Sequence, residues 1–149
     1  NYKHKYLNAI GLKSNNQCIF NTTEWDTAGR NKKFKKQRQK HGFDVRETWS
    51  LDYTLLTWLY EHIKYFYKIT RKIIDRTESR LMIPVLVKSK TSEGSILQTQ
   101  IQEVSEDEVF KILIKYIKKA LIKKDPFKAR EYASAAYKIL ADMHQELWW

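Results

Sequence analysis

The sequence predicts a mostly α-helical protein with about four helices and a small β-hairpin near residues 82–104. Only four glycines and two prolines occur among 149 residues, so few positions interrupt a helix. Apolar residues recur at helical spacing in long segments, and residues typical of helix starts precede those segments. With 42% hydrophobic residues the chain can bury a core, so we expect one domain over residues 1–149. We interpret residues 1–22, which are mixed and polar, as an irregular N-terminal arm or a short strand.

The longest predicted helix covers about residues 45–74. Asp44 and Glu47 have the spacing of a capping box, so we expect this helix to begin near Val45. Apolar and aromatic side chains then follow helical spacing: Leu51, Leu55, Trp58, Leu59, His62, Ile63, Phe66 and Ile73. A helix that is apolar on most sides is usually surrounded by the rest of its domain, so we predict that this is the central helix.

The second half of the chain contains the clearest local signals. A proline among β-branched residues, followed by a Ser-Glu-Gly-Ser turn, predicts the hairpin. Ser105 and Glu108 form another capping box, which predicts a helix over residues 106–124. Asp125 followed by Pro126 predicts the start of the last helix, because Asp is a good cap and Pro suits the first helical position.

The chain is strongly basic, with 28 Lys and Arg against 17 Asp and Glu and a net charge of +11. Such a field attracts polyanions, although a lysine-rich composition can also serve only to keep a protein soluble. Seven cations without one acid follow each other closely: Arg30, Lys32, Lys33, Lys35, Lys36, Arg38 and Lys40. Contacts to phosphates use such side chains, so these seven are the candidate anion-binding or nucleic-acid-binding residues. A solvated helix end or a flexible arm has the same composition, and both interpretations stay open.

The chain carries no recognisable motif of a catalytic, cofactor or metal site. The histidines His4, His41, His62 and His144 are never one helical turn apart, and Cys18 is the only cysteine. Glycine-rich phosphate loops and nucleophile motifs do not occur. We therefore expect a non-enzymatic protein without cofactor or metal. The apolar runs are too short to span a bilayer, so we also expect a soluble protein without a membrane partner.

Asp52 is unusual because it follows Trp49 on a helix that is otherwise largely apolar. A buried carboxylate needs a paired charge or hydrogen bonds, since an isolated buried charge is costly. The sequence thus predicts that Trp49 and Asp52 are at least partly buried. They are either a structural pair or part of a ligand pocket.

Residues 42–55, Gly-Phe-Asp-Val-Arg-Glu-Thr-Trp-Ser-Leu-Asp-Tyr-Thr-Leu, and the final Leu-Trp-Trp carry a resemblance. The chain resembles a family of small uncharacterised tailed-bacteriophage proteins that share this segment and a C-terminal double tryptophan. The resemblance implies a phage protein in the cytoplasm of the infected bacterial cell, or in the virion. It brings no activity, cofactor or site residue with it.

Charge and resemblance together predict a phage accessory protein that binds an anionic partner, either nucleic acid or a nucleotide-like host defence signal. The alternative is a protein–protein module, either an inhibitor of a host defence protein or a minor virion component. Salt dependence separates the two, because phosphate-driven binding weakens steeply with salt and an aromatic-rich protein interface does not.

Overall fold

The computed structural model describes residues 28–48 and 51–148, and over these residues the protein is mostly α with one small β-hairpin. The elements follow in the order α1 (Ala28–His41), a 3-10 helix (Val45–Thr48), α2 (Leu51–Thr70), β1 (Arg80–Thr91), β2 (Gly94–Ser105), α3 (Glu106–Ile122), α4 (Pro126–Asp142) and a short 3-10 helix (His144–Glu146). This confirms the prediction of four helices and a hairpin for that part of the chain. The N-terminal arm predicted at residues 1–22 lies outside the described residues.

The chain divides into two compact units between His62 and Ile63, inside α2. We call them the N-terminal unit and the C-terminal unit and describe each by itself. Within the residues that the structure describes, none of the helices combines the length and apolar character that crossing a membrane requires.

The long helix differs from the predicted span of residues 45–74. The capping box forms, because the Asp44 N–H donates to Glu47 Oε1 at 3.3 Å and Asp44 Oδ1 accepts from the Arg46 N–H at 3.0 Å. It caps the 3-10 helix Val45–Thr48, however, and α2 begins at Leu51. At the other end α2 stops at Thr70. A helical segment thus begins at Val45 as predicted, but its described first residues form a 3-10 helix, and the helix ends four residues before the predicted end.

The C-terminal unit is built on the hairpin, α3 and α4. One face of α3 belongs to the core of this unit, since Phe110, Leu113 and Ile117 are fully buried. The predicted caps are present: Ser105 Oγ accepts from the Glu108 N–H at 3.3 Å, and Asp125 Oδ1 accepts from the N–H groups at the start of α4. The buried Ala135 and Ala136 on α4 are small and allow α3 and α4 to pack closely.

The outer edge of β1 in the hairpin forms a hydrogen bond with a side chain of α3. Pro84 pairs with Ile101 and has no N–H, so this pair cannot exchange backbone hydrogen bonds. Because such pairs alternate along an antiparallel ladder, the N–H of Leu86 also points away from β2. It donates to Tyr116 Oη at 2.7 Å, so a side chain of α3 satisfies this N–H group at the outer edge of β1. Gly94, with φ +129, opens β2 after the two-residue turn.

A buried ion pair joins the segment after α2 to the start of α3. Arg76 Nε donates to Glu106 Oε1 at 2.7 Å, and the guanidinium lies 4.9 Å from the centre of the Phe110 ring. Arg76 is buried despite its charge. Tyr67 Oη donates to Asp107 Oδ1 at 2.7 Å beside this pair. Charged and aromatic contacts thus hold this end of the C-terminal unit together.

Candidate functional site

Helix α1 carries all seven cations that the sequence selected. Arg30, Lys32, Lys33, Lys35, Lys36 and Lys40 are exposed. Lys32, Lys36 and Lys40 are four residues apart, so they follow one another along a single side of the helix, about 6 Å apart in rise. Lys33 lies next to this line. We call these four residues the lysine row.

The opposite side of α1 is the buried side. Phe34 and Arg38 are four residues apart, and only 4% and 3% of their surfaces are exposed. The helix therefore has a cationic face and an anchoring face. Arg38 belongs to the anchoring face, although the sequence grouped it with the anion-binding cations. One helical turn after a buried phenylalanine, its guanidinium points toward the interior rather than toward solvent.

The interior partner of Arg38 is Asp44, which is also fully buried. Arg46 donates two hydrogen bonds to the same carboxylate, from Nε to Oδ1 at 3.0 Å and from Nη2 to Oδ2 at 2.9 Å. The Arg46 guanidinium also covers the Phe34 ring, 4.2 Å from its centre. Bidentate and charge-assisted bonds of this kind are among the strongest that a carboxylate makes. We call Arg38, Asp44, Arg46 and Glu47 the ion cluster.

The pKa values of the two acids in the ion cluster are shifted in opposite directions. Burial raises the pKa of Asp44, but the hydrogen bond from Arg46 and the charge of Arg38 outweigh it, so the pKa lies below 3.8. For Glu47, burial dominates and raises the pKa from 4.5 to about 7. The hydrogen bond from the Asp44 N–H and the charge of Arg38 oppose this rise only in part. Glu47 therefore changes its charge near neutral pH.

The turn after α1 fixes the end of that helix. Gly42 has φ +88, a conformation that favours glycine, and its N–H donates to Arg38 O at 2.9 Å. The Val45 N–H donates to Gln37 Oε1 at 3.1 Å, which ties the turn back to α1. Gly42, which follows the basic run in the sequence, thus ends α1. The ion cluster itself was not predicted, because Asp44 and Glu47 were interpreted only as a capping box.

Asp52 and Trp49, the other candidate residues, have different outcomes. Trp49 lies outside the described residues. Asp52 is exposed in the first turn of α2, so the prediction that it is buried is wrong. A carboxylate at a helix N-terminus is stabilised by the helix dipole and needs no buried partner there.

An apolar groove of about 470 Å³ lies on the N-terminal unit. It is lined by Phe43, Glu47, Thr48, Leu51, Thr54, Leu55 and Trp58. Leu51 is 60% exposed and Leu55 44%, although the sequence placed both on the core stripe of the long helix. In α2 of this unit the buried apolar side chains are Leu59, which the sequence placed on the stripe, and Leu56, which it did not. The Trp58 ring stacks on His62 with 3.9 Å between ring centres.

Over residues 28–48 and 51–148, no three His, Cys, Asp or Glu side chains are grouped so that they could hold a metal ion. No protein-family model, curated protein or solved structure matches the chain. Charge, burial and geometry are therefore the basis on which a function can be assigned.

Proposed function

We propose that this protein binds the phosphate backbone of nucleic acid through the lysine row of α1. The observation that carries the proposal is the two-sided character of that helix. Six cations are exposed, while Phe34 and Arg38 anchor the opposite face. A surface that is cationic and held by buried contacts differs from a solvated tail, because the charges keep a fixed spacing along the helix.

The spacing and chemistry of the row suit phosphates. Lysines act as mobile point charges and carry no geometric demand, which favours backbone contact over base recognition. A helix of 14 residues can lie along a groove or a strand and meet several phosphates in succession. The net charge of +11 adds long-range attraction to any polyanion.

A salt series on two matched variants tests the proposal. The first variant changes the lysine row, Lys32, Lys33, Lys36 and Lys40, to Gln, and the control changes the exposed Lys88, Lys90, Lys115 and Lys138 to Gln. Both lose four charges, so a nonspecific effect of net charge acts on them alike. The measurement is the affinity for duplex DNA, single-stranded DNA and RNA at several salt concentrations.

The α1 variant should bind duplex DNA with a shallower salt dependence, since each lost phosphate contact reduces the slope by about 0.9. Its thermal stability should stay close to wild type, because exposed charges contribute little to folding. The control should keep the wild-type slope. Equal slopes for the two variants would contradict a local site on α1. Failure of wild type to bind any of the three oligomers at low salt would contradict the nucleic-acid proposal as a whole.

The apolar groove supports a second candidate, a protein–protein module. Phe43, Leu51 and Leu55 present exposed apolar side chains beside Trp58, a composition common at the centres of protein interfaces. Changing Leu51 and Leu55 to Asp should abolish a salt-insensitive complex with a host protein and leave the affinity for DNA unchanged. Loss of DNA binding in that variant would contradict the separation of the two surfaces.

The resemblance at residues 42–55 and 147–149 supports a phage accessory role, in the cytoplasm of the infected cell or in the virion. A nucleotide-like signal is the smaller anion that the same cationic surface would attract. We also propose that α2 is the central helix, because it contributes residues to both compact units.

A further inference from the structure

We infer that residues 122–128 form a second nucleic-acid contact, which binds unpaired bases by stacking them on Phe127. These residues are the end of α3, the turn after it and the first residues of α4, and we call them the α3–α4 turn. This inference rests on the proposed function for its ligand class, but it concerns a separate surface on the C-terminal unit. It predicts that single-stranded nucleic acid is the preferred ligand.

The turn is exposed on the surface of the C-terminal unit. All seven residues from 122 to 128 are exposed, next to helices that bury Phe110 and Ile139 completely. Phe127 is 78% exposed and Ile122 is 64% exposed. Two large apolar side chains are thus exposed within one stretch of seven residues, which makes this stretch a candidate interaction surface.

Local structure holds Phe127 in this position. Asp125 Oδ1 accepts hydrogen bonds from the N–H groups of Phe127, at 3.0 Å, and Lys128, at 3.4 Å. Pro126 starts α4 and restricts the backbone at the helix start. The backbone that carries the ring is therefore ordered before any ligand arrives, so little conformational entropy is lost when a base stacks on it.

The surroundings of the ring are cationic. Lys123, Lys124 and Lys128 are exposed within the turn, and Lys118 is exposed one turn earlier on α3. The single acid among residues 122–128 is Asp125, whose carboxylate already serves as the cap of α4. An aromatic ring among lysines is the combination that binds single strands, because bases stack while phosphates meet the charges.

Duplex DNA and lipid bilayers fit this turn less well. The bases of a duplex are stacked on each other and offer no free face to a ring at the protein surface. An anionic bilayer would take up both Phe127 and Ile122, but together these side chains contain fewer carbon atoms than one myristoyl chain. A myristoyl chain alone gives only marginal membrane binding. A stacking contact needs no such anchoring strength, because it only adds to binding driven by charge.

The test compares three full-length variants against oligo-dT, oligo-rU and a duplex of equal length. Phe127→Ala removes the ring, and Phe127→Leu keeps apolar bulk without an aromatic plane. Trp148→Ala is the control, because Trp148 is a comparably exposed aromatic (70%) whose neighbours in the sequence, residues 142–147, include no lysine. Circular dichroism verifies that each variant is folded, which the exposure of both side chains makes the expected result.

Both Phe127 variants should bind the single strands about 5- to 150-fold more weakly than wild type, the range that one base–aromatic contact contributes. Their affinity for the duplex should stay within about twofold of wild type, as should every affinity of Trp148→Ala. Unchanged single-strand affinity in Phe127→Ala would overturn the inference while leaving the proposed function of α1 intact. If the α1 lysine variant instead keeps full affinity for every oligomer and Phe127→Ala loses single strands, the α1 proposal fails and the turn remains the site.

A vesicle-binding measurement distinguishes nucleic acid from lipid as the ligand of the turn. Vesicles of phosphatidylglycerol and of phosphatidylcholine are tested for co-flotation with wild type and the same variants. One result would overturn the inference and assign the turn to a bilayer. In it, Phe127→Leu still binds the anionic vesicles, Phe127→Ala does not, and both variants keep the wild-type affinity for single strands. No specific binding to vesicles is the expected result.

Discussion

Replacing Glu47 by glutamine removes the one acid whose pKa lies near neutral pH in the ion cluster. The amide oxygen of Gln can still accept from the Asp44 N–H, so the substitution retains the contact and eliminates the buried charge. Wild type and Glu47→Gln should therefore differ mainly in how their stability depends on pH.

The sign follows from proton binding. The pKa of Glu47 is about 7 in the folded protein, against an ordinary value of 4.5 that applies when the chain is unfolded. Between these two values the folded state keeps a proton that the unfolded state has released. The free energy of unfolding therefore falls as pH rises from about 4.5 to about 7, and the stability gained from the proton is fully present only below that window. At about 1.4 kcal/mol per pH unit, the loss is on the order of 3 kcal/mol.

Chemical denaturation at several pH values between 4.5 and 8.5 measures this difference. Wild type should lose about 3 kcal/mol relative to Glu47→Gln across the window, so that the variant is the more stable protein at pH 8. Asp44 does not interfere, because its pKa lies below 3.8 and its contribution to stability is lost only at lower pH. Parallel pH profiles for the two proteins would refute the assignment of a buried, neutral Glu47.

Two further substitutions test contacts within each unit. Asp44→Ala leaves two buried arginines without their shared carboxylate and should cost about 3–5 kcal/mol in the free energy of unfolding, whereas Lys33→Gln on the exposed face should stay within about 0.5 kcal/mol. An equal effect of both would show that the ion cluster is not a structural unit. Tyr116→Phe removes the acceptor of the Leu86 N–H and should cost about 1–3 kcal/mol in thermal or denaturant unfolding, while Tyr65→Phe, at an exposed site, should be neutral. A neutral Tyr116→Phe would mean that water replaces the hydroxyl at the edge of β1.

Features decided by neighbouring residues could be predicted from the sequence. The caps at Ser105 and Asp125 depend on contacts within four residues, and both are present. The basic run likewise appears as an exposed helix face, because a run of charges has few alternatives to solvent. What the run contacts is a separate matter that composition alone does not determine.

Features decided by partners from other elements could not be predicted. Arg38 looks like its neighbours in the run, and its burial depends on Asp44, which reaches it only after the chain reverses at Gly42. Leu51 and Leu55 share the periodicity of a core stripe, yet both line an open groove. A helix with apolar residues on most sides does not itself indicate which side its partners cover, so periodicity predicted the helix but only part of its buried face, Leu59 and Ile63.

The anchored end of α1 has a consequence for the entropy of binding. A disordered basic arm loses backbone freedom when it folds onto a polyanion, and that loss subtracts from its affinity. In α1 the Arg38–Asp44 ion pair and the bond from the Val45 N–H to Gln37 already hold the last turns in place. A polyanion that meets Lys36 and Lys40 orders lysine side chains only. The conformational loss on binding is confined to those side chains, and the helix geometry is settled when the protein folds.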